Sequence, residues 1–154
     1  MRFLNHMAGS ADEKGRAVYR RGCSDAAAPQ RLPALTITLY GIPNCDTVKR
    51  ARRWLDARQV DYAFHDYKIA GIERTTLEQW CRDVGWETLL NRSGTTFRKL
   101  DESQRAHLDA GRALALMQSQ PSMIRRPVLD TGVERVVGFD EPRYEAAIGH
   151  HPDR

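Results

Sequence analysis

Hydrophobic and polar positions fall into a readable period only from Leu35 onward. Leu35–Ile42 (LTITLYGI) is uncharged and rich in β-branched and aromatic residues, which predicts a buried central strand. Pro43-Asn44 breaks it. Between Asp46 and Gln59 the period lengthens, and Val48, Ala51 and Leu55 share one face, which predicts a helix. Tyr62–Tyr67 (YAFHDY) reads as a second strand, and a strand–helix–strand unit of this spacing makes the two strands parallel.

Helical patterns fill the middle of the chain. Thr75 and Glu78 have capping-box spacing at the head of a helix that runs to about Val84, where Gly85 stops it. Trp86–Leu90 reads as a short turn and Asn91–Leu100 as a loop. A longer helix is expected from Glu102 to Gln118, with Ala106, Ala110, Ala113, Leu114 and Met117 on one stripe and Pro121 beyond its end. Pro127–Leu129 and Arg135–Phe139 are short strands about the turn sequence Asp130-Thr131-Gly132. Asp140 caps a closing helix with Tyr144, Ala147 and Ile148 facing inward. The order β-α-β, helices, β-β-α predicts an α/β thioredoxin-like fold with a helical insertion.

Residues 1–34 mix Gly, Ala, Ser, Arg and Pro without a period, so they are expected to be a disordered extension, with one domain over 35–150. The net charge of +4 lies mostly there: the extension holds six basic and three acidic residues, leaving 18 and 17 for the rest. That distribution argues against a nucleic-acid partner. No apolar run approaches the roughly 18 residues that a membrane span needs, and residues 1–30 lack the apolar block of a secretory signal. The expected location is the cytoplasm, with no membrane partner.

Three cysteines (Cys23, Cys45, Cys81) fit neither a disulfide framework nor a zinc site, and no His pair has metal-cluster spacing, so no metal is expected. Cys45 stands where a buried strand gives way to a helix. Unpaired amides at a helix N-terminus favour thiolate over thiol, and such settings bring a thiol from about 8.5 to roughly 3.5–7.5. Lys49, four residues on, should add a full charge, while Asp46 should oppose it. On position alone, a buried structural cysteine is an equal alternative. Cys81, beside Trp80, reads as structural, His65 as a hydrogen-bonded strand residue, and Cys23 belongs to the extension.

Four stretches then carry a resemblance: Tyr40-Gly41-Ile42-Pro43-Asn44-Cys45-Asp46-Thr47, His65-Asp66-Tyr67-Lys68, Leu89 through Leu100 (LLNRSGTTFRKL), and Ile124-Arg125-Arg126-Pro127. In this order they resemble the ArsC (arsenate reductase) and Spx superfamily, most closely its YffB-like branch of glutathione-dependent thiol reductases. The resemblance implies that Cys45 is the nucleophile, with Lys49 and Arg126 at anion-binding positions. Asn44, Asp46 and Thr47 surround the nucleophile in the same loop. Pro127, implied to be cis, faces the cysteine. Asn91 falls where the family has an arginine, with Arg92 beside it as the candidate replacement, and Gly138 stands at the position of another. The depleted cation set points away from arsenate. Spx regulators use Cys-x-x-Cys, and Val48 occupies the second cysteine position here. The resemblance thus implies an oxidoreductase with glutathione as co-substrate, no bound cofactor, and a disulfide or oxyanion substrate. Arsenate reduction and Spx-like regulation through a protein partner are the alternatives. Arg92 and Arg98 flank a Gly-Thr-Thr loop that could cover the site, and Arg125 is expected to face solvent.

Overall fold

A computed structural model of the chain describes residues 36–151; the expected extension 1–34 and Cys23 lie outside them. Four strands form one sheet in the order β2-β1-β3-β4. β1 (Thr38–Gly41) runs parallel to β2 (Ala63–Asp66) and antiparallel to β3 (Val128–Asp130), which pairs antiparallel with β4 (Arg135–Val137). α1 (Asp46–Ala57) connects the parallel pair. The period of two sorts the core into two clusters. Leu39, Leu129 and Val136 stand in register and pack with Ala51, Trp54 and Leu55 of α1 and with Tyr144, Ala147 and Ile148 of α8 (Glu141–Gly149). Tyr40, Val128 and Val137, one position along each strand, join the other cluster beneath the helices between β2 and β3.

Those helices are α2 (Tyr67–Ala70), α3 (Arg74–Val84), α4 (Trp86–Leu89), α5 (Thr95–Arg98), α6 (Glu102–Arg105) and α7 (Ala110–Ser119), followed by a 3-10 turn at Pro121–Met123. The expected helix from Glu102 to Gln118 is therefore two. Asp101 and Gln104 form a capping box on α6, and the Asp109 carboxylate accepts the Arg112 amide at 2.8 Å to start α7. His107 takes φ 53° between them. Ala113, Leu114 and Met117 are buried as expected, but Ala110 is exposed, and Leu108 packs against the core instead. Asp109, which restarts the helix as α7, outweighs a continuous apolar stripe.

Smaller corrections share this local character. Thr75 and Glu78 do not cap α3, which begins at Arg74, because Glu78 takes the Arg74 Nε at 2.8 Å. The loop 91–100 contains α5, which places Phe97 and Leu100 in the core. The second strand ends at Asp66, whose carboxylate accepts the Lys68 amide at 2.9 Å and starts α2 at Tyr67. Asp140 caps α8 through the Arg143 amide, as expected.

Candidate active site

Placement of Cys45 begins at Gly41. A Cβ there would lie 2.9 Å from Val48 Cγ2 and 3.2 Å from Cγ1, so only glycine lets the first turn of α1 close on the end of β1. Cys45 follows as the N-cap, half-buried, with φ −124° and its carbonyl accepting the Lys49 amide at 2.9 Å. Burial is the largest single influence on its thiol and pushes it up. The Val48 amide, the Arg126 side chain and the Thr47 amide outweigh that burial, so the net shift is down. The sulfur makes no regular capping hydrogen bond. Its thiolate is favoured by the partial charge of those amides and the full charge of Arg126.

Arg126 reaches the thiol from the segment before β3. Its Nη1 donates to the Ser122 carbonyl at 3.0 Å, and its Nε is buried with no hydrogen-bond partner among the described residues. The Arg126–Pro127 peptide bond is cis, Pro127 is buried, and the Gly138 amide donates to the Pro127 carbonyl at 2.8 Å. Backbone pairing fixes this segment from the other side: Asn91 N–H donates to Met123 O at 2.8 Å, Arg125 N–H to Leu89 O at 2.7 Å. Tyr67 completes the site. Fully buried, it donates its hydroxyl to the Ile124 carbonyl at 3.4 Å, and its phenolic oxygen interacts with both Arg126 and Cys45. Burial pushes its phenol well up, so it remains a neutral donor.

The other sequence candidates are placed as follows. Lys49 lies 3.8 Å from the Asp46 carboxylate, an exposed pair on the first turn of α1, and the leading influences on the Cys45 thiol are burial, the Val48 and Thr47 amides and Arg126. Arg92 is exposed and lies over the Trp86 ring, 5.3 Å from its centroid. Its charge is thus engaged on an aromatic face rather than at Cys45. Asn44 is exposed and Thr47 half-buried beside the nucleophile, and Arg98 and Arg125 face solvent. His65 Nε2 bonds the Gly71 carbonyl at 2.8 Å and its ring packs on Tyr40. Cys81 is half-buried on α3, and burial pushes its thiol up. No group of three or more His, Cys, Asp or Glu among the described residues is arranged to hold a metal. Tyr67, expected at the end of a strand, instead opens α2 and so turns into the site. The signal available was an aromatic directly after Asp66, a residue able to cap a helix.

A family model described as the ArsC family matches residues 40–147, from the strand before Cys45 into the last helix. The chain belongs to the ArsC family. The solved structure of a YffB protein is 58% identical, with a TM-score of 0.71, covering 73% of this chain and 98% of that one. The solution structure of an arsenate reductase (ArsC) related protein from Brucella melitensis is 50% identical, with a TM-score of 0.60 and coverage of 75% and 97%. An uncharacterised protein of Haemophilus influenzae is 40% identical over 112 residues, covering 73% of this chain and 98% of its own. More distantly, the global transcriptional regulator Spx of Streptococcus pyogenes is 27% identical over 114 residues, covering 73% and 84%. The thioredoxin-like architecture of the ArsC family is therefore the fold of this chain. Among the described residues, no helix is long and apolar enough to cross a membrane.

Proposed function

We propose that the chain is a glutathione-dependent thiol reductase whose nucleophile is the Cys45 thiolate. The observation that carries this reading is the setting of Cys45: an N-cap thiol held down by the Val48 and Thr47 amides and by Arg126. The Cys45 thiolate attacks the glutathione-bearing sulfur of a mixed disulfide. One S–S bond breaks as another forms, and the departing thiolate takes a proton from solvent. A glutathione thiolate then attacks the Cys45–glutathione disulfide, releasing oxidised glutathione and restoring the Cys45 thiolate. The mixed disulfide is reduced to the target thiol, and the incoming glutathione and the one carried on Cys45 leave joined as oxidised glutathione, a two-electron exchange overall. The buried Tyr67 hydroxyl and Ser122 carbonyl hold Arg126 toward the sulfur.

Arsenate reduction is disfavoured by the same geometry. A compact, strongly hydrated dianion needs several converging cations. Here Arg126 faces the sulfur, Lys49 is paired with Asp46, Arg92 lies on Trp86, and Gly138 offers no side chain. Spx-like switching needs a second cysteine in the first turn, where buried Val48 stands. The test is steady-state reduction of a glutathionylated peptide with glutathione as reductant, beside arsenate reduction under the same conditions. Turnover that needs Cys45 and exceeds the arsenate rate supports the reading. Efficient arsenate turnover without glutathionylation of Cys45 overturns it.

A further inference from the structure

β2 is an edge strand, so the chain that leaves it at Asp66 has no further strand beside it. It turns at once into α2, a single turn of four residues that is too short to hold itself. Lys68, Ile69 and Ala70 face solvent, with Ile69 86% exposed, and Tyr67 alone of that turn is buried. Side-chain hydrogen bonds close the segment at both ends. The Asp66 carboxylate takes the Lys68 amide at 2.9 Å, and His65 Nε2 meets the Gly71 carbonyl at 2.8 Å. A carbonyl only accepts, so Nε2 carries the proton and donates it. Gly71 reaches this position at φ 72° and ψ −168°, a conformation that favours glycine.

The imidazole is itself held. His65 stands opposite Tyr40 in the parallel register with ring centroids 4.9 Å apart, and Tyr40 rests edge-on against the fully buried Trp80 at 4.8 Å. Packing on a ring that cannot move removes rotamer freedom from His65, so the bond to Gly71 costs little further ordering. What the closed segment presents inward is Tyr67, whose phenolic oxygen interacts with Arg126 and Cys45. Its hydroxyl lies 3.4 Å from the Ile124 carbonyl, beyond the roughly 2.5–3.0 Å of a strong O–H···O bond. That contact is too weak to fix the phenol, and closure of the segment supplies the rest. We propose that His65 is a positioning residue for the nucleophile: its ring N–H closes the segment from 65 to 71 and so holds Tyr67 against Arg126 and the Cys45 sulfur. The proposal rests on Cys45 as the nucleophile and deepens that reading.

The experiment measures iodoacetamide alkylation of Cys45 against pH, peptide-mapped to keep Cys23 and Cys81 apart from it. His65→Phe keeps a ring against Tyr40 and removes the donor. It should raise the alkylation midpoint by about half a unit, a roughly threefold lower rate at a fixed pH below the midpoint. His65→Gln, which returns an N–H at similar reach, should recover most of the wild-type midpoint. Tyr67→Phe should raise the midpoint too, and His65→Phe should add nothing on that background, because it acts through the phenol. Ile69→Ala, on the outside of the same turn, should leave the midpoint unchanged. Urea midpoints of each variant separate loss of fold from loss of position. A His65→Phe protein with the wild-type midpoint overturns the proposal. So does a shift that persists in full without the Tyr67 hydroxyl, that His65→Gln does not reduce, or that Ile69→Ala reproduces. Alkylation does not call on glutathione, so a wild-type protein that forms no glutathione adduct on Cys45 overturns the reductase reading separately.

Discussion

Replacing Gly41 by alanine tests how the fold sets the nucleophile, because the added methyl has a defined collision. Its carbon would sit 2.9 and 3.2 Å from the two methyls of Val48, a residue whose β-branched side chain has little freedom to turn on a helix. Overpacking of this kind costs about 1–3 kcal/mol. Gly41 does not have a positive φ, so alanine is tolerated by the backbone and recovers about 0.4–1 kcal/mol through the unfolded chain. A net loss of about 1–2 kcal/mol follows. With a urea m-value of about 1–2 kcal/mol per molar, the midpoint should fall by about 1 M. The collision is pairwise, so Val48→Ala should relieve it. The double variant should be more stable than the sum of the single effects by about 1 kcal/mol. Displacing the first turn of α1 should also slow iodoacetamide alkylation of Cys45. Equilibrium urea unfolding of the four proteins decides the matter. A neutral or stabilising Gly41→Ala, or effects additive within about 0.5 kcal/mol, would refute the close approach as the device that positions Cys45.

Three further outcomes follow from the same geometry. Arg126→Gln should move the midpoint of the Cys45 alkylation-versus-pH curve upward, since burial then faces less opposition; an unmoved midpoint would remove Arg126 from the site. Because the folded thiol is held below its unfolded value, its contribution to stability is complete above the unfolded pKa and lost as pH falls through the folded one. The stability of wild type relative to Cys45→Ala should therefore rise with pH across that interval in urea titrations, and a flat difference would contradict the shift. Arg135 bridges Asp83 at 3.1 Å and Asp130 at 3.2 Å, and Asp130 also accepts the Trp80 indole N–H at 3.2 Å. Arg135→Leu should cost about 1–3 kcal/mol, discounted from a fully buried pair because both carboxylates retain some exposure, with a change in tryptophan fluorescence; an unchanged midpoint would count against the bridge.

The parts of the molecule legible in the sequence are those whose signal is local and periodic. The uncharged, β-branched run Leu35–Ile42 marked a central strand, and the Asp140 cap with Tyr144, Ala147 and Ile148 marked the closing helix. What escaped depends on competition between neighbours. Asp109 could continue a helix or restart one, and only the inward turn of Leu108 decides it. Lys49 stands on the right face to assist Cys45, yet Asp46 is the partner it takes. Tyr67 and Arg126 come together from segments 59 residues apart in the chain, joined through Ile124 and Ser122 carbonyls that no pattern announces.

The central claim is that Cys45 is a thiolate that exchanges with glutathione. Its most direct test is peptide-mapped mass spectrometry of the protein after brief exposure to oxidised glutathione near neutral pH, then again after adding reduced glutathione. A glutathionyl adduct is expected on Cys45 ahead of Cys81, whose thiol burial pushes up. Reduced glutathione should remove that adduct, and Arg126→Gln should diminish it. An adduct that forms first on Cys81, or none on Cys45, would contradict that claim.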